Sequence, residues 1–342
     1  MKIIRILLAG LLLVPLAMPA QAVSRKTDVV TLYNGDTVTG EIKSLFGGIL
    51  ELSTDAMGTL KIEWQEIARL ESKYNYEIRL SDGRRHYGTM NSDTRPGELV
   101  VEDLYGDHSV DSLAIVELRP IEERWIDRLD VYLSANYNYT KASSVQSITF
   151  NTEIGYENEN SRTSLTSRVV NTNTLDEDTS SGRVDLARRV WTDRARLYRL
   201  FYGNLEYNDE LGLDRRVTVG AGLGRYFIDN NRHRFSGAFG LQALTERQVE
   251  SSGTDQSLEL FISSEYAIWQ FDTPEMDIAL TGALFPSLTE SGRVRSNTDI
   301  RIRWEIIEDL FWDVSAWATY DNKADSGNQV DYGVSTGIGW EY

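Results

Sequence analysis

The chain has no cysteine and only three histidines, His86, His108 and His233, in 342 residues. Without thiols there is no thiol nucleophile, thiolate metal site or disulfide, so stability rests on burial and backbone pairing. Positive charge is also scarce: 35 Lys and Arg face 52 Asp and Glu, a formal balance of −17. Nucleic acid and anionic membrane surfaces are bound by clustered Lys and Arg, so no nucleic-acid partner is expected. After the first 22 residues no segment reaches the run of about 20 apolar residues that a transmembrane helix needs.

Met1 to Ala22 has the parts of a secretory signal. Lys2 and Arg5 give a positive start, Ile6 to Leu16 an apolar middle, and Ala20-Gln21-Ala22 a small-residue cleavage site. Its removal takes away two positive charges and no negative one, so −17 becomes −19 for a mature chain beginning at Val23. Export is therefore expected, either to the periplasm or into an outer-membrane barrel. A mean hydropathy of −0.35 looks soluble. A barrel hides from such averages, because its polar inner face dilutes its apolar outer one.

Residues 23–122 read as an internal duplication. The first copy runs from Val29, Val30 and Leu32 through the turn Asn34-Gly35-Asp36 and the strands around Val38, Ile42, Leu50 and Leu52. It closes on Leu60, Ile62 and Ile67-Ala68-Arg69-Leu70. The second repeats the order with Tyr76, Ile78, Leu80, Ser81-Asp82-Gly83, Leu99, Val101, Val110, Ile115, Val116 and Leu118. Short strands between Gly and Asp turns predict two SH3-like or Sm-like five-stranded units in tandem. Such units often bind RNA or peptides, but 18 acids against 11 bases in this region disfavour RNA. A scaffold that docks a periplasmic partner, or sits under a barrel mouth, is the expected use. His86 and His108, in loop-like surroundings, read as surface residues.

Residues 123–342 read as a barrel domain, in which period-two segments of roughly nine to fifteen residues recur from Ile126 onward. Strands are predicted near 127–140, 146–158, 161–172, 181–191, 194–208, 214–228, 232–247, 255–269, 275–288, 293–306, 310–321 and 330–342. Twelve is an even number, as a single-chain bacterial barrel requires. Short spacers such as Asn158-Glu159-Asn160 and Asp229-Asn230-Asn231 alternate with mostly longer ones rich in Asp, Ser, Gly and Asn. That rhythm is expected of periplasmic turns and external loops. Trp125, Tyr137, Tyr139, Trp191, Tyr207, Trp269, Trp304, Trp312, Tyr320 and Trp340 would supply aromatic girdles at the interfaces. Arg199 fits least well, falling among Leu197, Phe201 and Leu205 on a face meant for lipid.

The final strand alternates most strictly. Val334, Thr336, Ile338, Trp340 and Tyr342 share one face, with small or acidic residues on the other. An aromatic last residue preceded by apolar residues at every second position is expected to be read by the outer-membrane barrel assembly machinery. Outer-membrane lipid and a possible periplasmic partner complete the expected contacts.

In its signal, its strand pattern and its final Gly337-Ile338-Gly339-Trp340-Glu341-Tyr342, the chain resembles a family of unknown function, the YdiY-like, salt-induced outer-membrane proteins. The resemblance also draws on the Asn- and Tyr-rich stretch Ser134 to Tyr139 and on the acidic loops. It implies a location and a fold; no catalytic motif comes with it.

No catalytic, cofactor or metal site is expected. The only barrel histidine, His233, sits in a predicted periplasmic turn, and acid pairs such as Glu259 with Glu265 or Asp299 with Glu305 are ordinary in a polar lumen. That lumen is expected to carry Arg293, Arg295, Arg301 and Arg303 against Glu153, Asp185, Glu259, Glu265, Asp299 and Glu305. Two uses stand open: a salt-bridge network that stiffens a structural or docking barrel, or a narrow pore that selects small polar or ionic solutes. An envelope hydrolase is a third reading.

Overall fold

The computed structural model describes residues 26–91, 95–121, 125–140, 145–174, 178–192, 196–209, 212–249, 253–270, 274–307, 310–323 and 329–340. The predicted signal, Glu341 and Tyr342 lie outside the described residues. The described chain is all-β, with three short 3₁₀ turns at Trp64–Glu66, Ser112–Ala114 and Trp125–Arg128. None of its helices is long and apolar enough to cross a membrane, which says nothing of strands.

Nine strands form the amino-terminal sheet: β1 (Asp28–Leu32), β2 (Thr37–Phe46), β3 (Ile49–Ser53), β4 (Thr59–Glu63), β5 (Ile67–Leu80), β6 (Arg85–Asn91), β7 (Glu98–Asp103), β8 (Gly106–Asp111) and β9 (Ile115–Pro120). The duplication is visible in the pairing. β4-β3-β2-β1 meets the first half of β5, and β8-β7-β6 meets its second half, with β9 closing on β5 as β5 closes on β1. Each final strand follows a 3₁₀ turn. Each first hairpin uses an Asx turn: Asn34 Oδ1 accepts from the Asp36 N–H at 2.9 Å, and Asp82 Oδ1 from the Arg84 N–H at 2.9 Å.

The expectation of two units in tandem needs one correction, because they are fused. The close of the first and the opening of the second are one 14-residue strand, β5. One apolar cluster serves both, joining Ile42, Leu50 and Leu52 to Ile78, Val101 and Leu118. A unit this short is marginal on its own, and sharing one core raises the fraction of its surface that is buried. The one carboxylate at its centre, Asp28, is fully buried and accepts from the Ile42 N–H, the Ser72 hydroxyl and the Tyr76 hydroxyl.

The second sheet has twelve antiparallel strands: β10 (Leu129–Thr140), β11 (Val145–Asn158), β12 (Ser161–Asn173), β13 (Asp178–Trp191), β14 (Leu197–Asn208), β15 (Leu213–Asp229), β16 (His233–Gln248), β17 (Asp255–Gln270), β18 (Met276–Pro286), β19 (Val294–Ile307), β20 (Leu310–Asp321) and β21 (Val330–Trp340). Each pairs with its sequence neighbours in an unbroken meander. The sheet is strongly curled. β13 and β17 would lie about 19 Å apart on a flat sheet at roughly 4.8 Å per strand, more than two side chains can bridge. Yet Arg189 of β13 donates to Glu265 of β17 at 2.6 Å. Among the described residues no ladder joins β10 to β21.

The two faces differ as the alternation predicts. On the convex face Leu223, Phe239, Ile262 and Leu284 are directly opposed on four successive strands and are 53, 63, 52 and 49% exposed. Arg199 also lies on this face, between Val190 and Leu223 and three residues into β14, so it stands near the short-turn end. The girdle assignment fails for two aromatics. Trp191 and Trp269 line the concave face, where the amino-terminal domain covers them.

Candidate functional site

The site grows from a register. In β5 and β9, Arg79 lies opposite Glu117 and Glu77 opposite Arg119, so alternate residues present a two-by-two checkerboard of charge on the face away from the small core. That face meets the short-turn end of the large sheet. Arg79 pairs with Glu117 and Asp229, Arg234 reaches Asp229 at 3.0 Å, and Arg119 reaches Glu157 at 2.5 Å. Burial alone would push the Glu117 carboxyl up, but Arg79, Arg119 and Arg234 outweigh it and hold it well below the usual range. Glu77, at one corner, is pushed up to about 7 by burial, with Arg85 opposing and Glu117 and Glu157 adding.

Around this knot the small domain touches hairpin after hairpin. Arg85 donates to the Glu159 carbonyl at 2.9 Å and lies 4.8 Å from the Trp191 ring. Arg196, at a left-handed φ of 69°, donates through Nε to the Ser81 carbonyl at 3.0 Å, so its side chain serves the turn and the contact between the two domains. Asn231 donates to the Ile115 carbonyl at 2.9 Å. Phe46 stands edge-on to Trp269 at 5.5 Å, with the Arg234 guanidinium 4.4 Å from its ring. Gly47, at φ 58°, permits that approach, since a Cβ there would meet the indole at 3.0 Å. Between domain and concave face lies a cavity of about 560 Å³, lined among others by Arg79, Glu117, Arg189, Tyr226, Arg234 and Glu265.

Deeper along the concave face lie the lumen residues named from the sequence. Arg295 holds Glu259 through two donors at 2.6 and 3.1 Å, and Gln242 donates to the same fully buried carboxylate at 2.6 Å. Arg293 pairs with Asp321 at 2.6 Å and Glu290 at 3.0 Å, and Arg183 with Asp185 at 2.8 Å. Arg303 lies 4.0 Å from the Phe311 ring, Arg301 stands exposed between Ala279 and Ser315, and Glu305 accepts from the Glu275 N–H at 3.1 Å. Asp299 takes a 3.4 Å contact from the Thr281 hydroxyl. Glu153 lines a separate cleft of about 410 Å³ with Arg168, Arg183 and Asp185. Neither suggested acid pair is assembled: Glu259 and Glu265 each serve a different arginine, and Asp299 and Glu305 have separate partners. The His233 ring lies nearly parallel to that of Tyr266, with centroids 6.3 Å apart and the Tyr266 hydroxyl 3.3 Å from Nδ1.

The glycine lane of β15 is filled. A Cβ on Gly220 would strike Tyr202, one on Gly222 Phe261, and one on Gly224 Tyr198, all within 2.5 Å. Flat rings thus occupy the room that these glycines leave, and Gly333 lies under Trp317 in the same way. In the terminal strand Val334, Ile338 and Trp340 are 68, 71 and 63% exposed, while Thr336 accepts from Trp312 Nε1 at 2.7 Å.

Sequence reading missed Arg79, Glu117, Asp229 and Arg234. Alternating acid and base in Glu77-Ile78-Arg79 and Glu117-Leu118-Arg119 was the available signal, and it reads like any solvated strand face.

Fold and site together define an all-β protein: a curled twelve-stranded meander with an ion-paired concave face, capped at its short-turn end by a duplicated small β domain. The chain belongs to the family described as protein of unknown function, DUF481, whose model matches residues 131–342. No curated protein matches it.

Proposed function

We propose that the protein is an integral outer-membrane β-barrel whose mouth is stoppered from the periplasm by its own amino-terminal domain, with a structural or docking role and no catalysis. The single observation that carries this reading is the row of half-exposed apolar residues on the convex face, set against Arg–carboxylate pairs on the concave one, where the Glu259 partner of Arg295 is fully buried. Such a surface is unfavourable in water and suited to hydrocarbon. β10 and β21 then complete the ring, because unpaired backbone at their edges costs several kcal/mol per group in lipid. The YdiY-like, salt-induced resemblance adds a role in envelope stress, for which abundance after an osmotic upshift is the check.

A cysteine-free chain makes the seam directly testable. Cysteine pairs placed between Leu133 or Ala135 and Val334 or Thr336 should cross-link within one register in outer membranes. Recovery of the protein in the soluble periplasm, or no cross-link in any register, defeats the reading. Replacing Trp340 and Tyr342 by Ser should lower insertion, with Glu341→Ser as the control.

A second reading, a narrow channel for small polar or ionic solutes, is favoured by the cavity of about 560 Å³ under the small domain. Planar-bilayer conductance separates the two. The stoppered barrel is silent, and Arg79→Ala, which leaves Glu117 and Asp229 short of a cation, should unseat the stopper and open it. Steady conductance by the unaltered protein selects the channel.

A further inference from the structure

The two histidines of the small domain, expected as unrelated surface residues, meet in the fold. His86 lies in β6 and His108 in β8, the strands on either side of β7, with their rings 5.0 Å apart. Asp103, the last residue of β7, stands between them. Its Oδ2 is 3.3 Å from His108 Nε2 and 3.9 Å from His86 Nδ1, and the three ligand atoms lie within 4.8 Å of one another.

The backbone builds this arrangement. Oδ1 of Asp103 accepts from the Tyr105 N–H at 2.7 Å, which turns Oδ2 toward the imidazoles. β7 can approach β6 because Gly88 has no side chain; a Cβ there would lie 2.1 Å from the Glu102 carbonyl oxygen and 3.2 Å from the Asp103 nitrogen. The nearby cation Arg84 is occupied by Asp82 at 2.7 Å. Side chains of His86 and Asp103 are only 15 and 11% exposed, whereas His108 is 39% exposed and the neighbouring hairpin tip, Leu104-Tyr105, is 99 and 92% exposed. The cluster is thus held on one side and open on the other.

We propose that His86, Asp103 and His108 form a binding site for one divalent transition-metal ion of the Zn²⁺ type. Two imidazole nitrogens and one carboxylate match Zn²⁺, Cu²⁺ or Ni²⁺ and are a poor set for the all-oxygen preference of Ca²⁺ or Mg²⁺. Bonds of about 2.0–2.1 Å in a tetrahedron place ligand atoms about 3.3 Å apart, so rotation of the two histidine side chains closes the site. Three protein ligands leave a fourth position on the open side for water or a partner's side chain.

The test uses full-length, tag-free protein in detergent, titrated with ZnCl₂ by calorimetry and with Co²⁺ by visible absorption. One ion per chain at micromolar metal is expected, with Co²⁺ bands of a four-coordinate site. His86→Gln with His108→Gln removes two of the three ligands and should abolish saturable binding at micromolar metal, while His233→Gln leaves it unchanged. Loss of the wild-type far-ultraviolet spectrum in the double variant shifts the test to the unaltered protein. There Cu²⁺ electron paramagnetic resonance should show two equatorial nitrogen ligands. Absence of saturable binding, unchanged binding in a folded double variant, or a copper spectrum without nitrogen couplings overturns the proposal. None of these outcomes bears on whether the large sheet enters a membrane.

Discussion

In the small domain Ile42, Leu50, Leu52 and Ile78 are wholly buried, while on the twelve-stranded sheet Leu223, Phe239, Ile262 and Leu284 stand half exposed. Charge is arranged the other way round. The small domain turns its checkerboard of Glu77, Arg79, Glu117 and Arg119 away from its core, whereas the large sheet buries Glu259 completely inside its curl. Both regions use the same period of two, so alternation specifies two faces without saying which one meets solvent. Curvature decides that. Fused five-stranded units wrap around their apolar side, while the long meander wraps around its charged side and leaves its apolar side outermost.

The sharpest way to break this comparison is to put charge on the outward row. Phe239→Arg with Ile262→Arg should cost about 2–4 kcal/mol per site near a bilayer midplane and abolish the heat-modifiable band in outer-membrane fractions. In water the same changes would stay within about 0.5 kcal/mol each. Normal yield of folded double variant would remove the contrast between the two regions. Next in size is Glu259→Gln. It leaves the Arg295 guanidinium without its anion in a buried place, and breaking such a pair typically costs about 3–5 kcal/mol. Glu153→Gln, at an exposed position, should leave urea unfolding in detergent unchanged. Equal behaviour of the two variants would mean that the concave face is wetter than its packing implies. Leu52→Ala, in the small core, should cost about 2–5 kcal/mol. It should raise proteolysis of the small domain and leave the heat-modifiable band of the large sheet in place.

Much of this contrast was legible before any coordinates, because local alternation carries it. The tenth strand predicted for the large sheet, near 293–306, matches β19, where alternation puts Ile300, Ile302, Trp304 and Ile306 on one face and Arg301, Arg303 and Glu305 on the other. Turn chemistry was equally plain at Asn34-Gly35-Asp36 and Ser81-Asp82-Gly83. Relations between distant segments were not legible. The partners Arg79 and Asp229 are 150 residues apart, and each looks like an ordinary surface charge in its own neighbourhood. Trp191 and Trp269 were misplaced for the same reason: strand ends draw aromatics both to a lipid interface and to a docking surface. His86 and His108 hid because their meeting depends on the β6-β7-β8 order, and a sequence with no fixed ligand spacing does not reveal it.

The smallest effect tests whether the seam between the two regions is titratable. Burial pushes Glu77 up to about 7, with Arg85 opposing, so at intermediate pH the folded chain holds a proton that the unfolded chain has released. A folded value above the ordinary 4.5 means that this contribution to stability is whole below about 4.5. It declines as pH climbs and is gone once pH passes through about 7. His86 works in the opposite sense: burial, with His108 adding, depresses its value, so its contribution is lost as pH falls. A raw pH profile therefore mixes two slopes. The difference between wild type and Glu77→Gln isolates one of them. The melting temperature of the small domain in the full chain, followed by protease cleavage within residues 26–121 between pH 5 and 7.5, should fall with rising pH more steeply in the wild type than in the variant. Parallel profiles would mean that Glu77 is already ionised beside Arg85, and that the docking face is held by fixed charge alone.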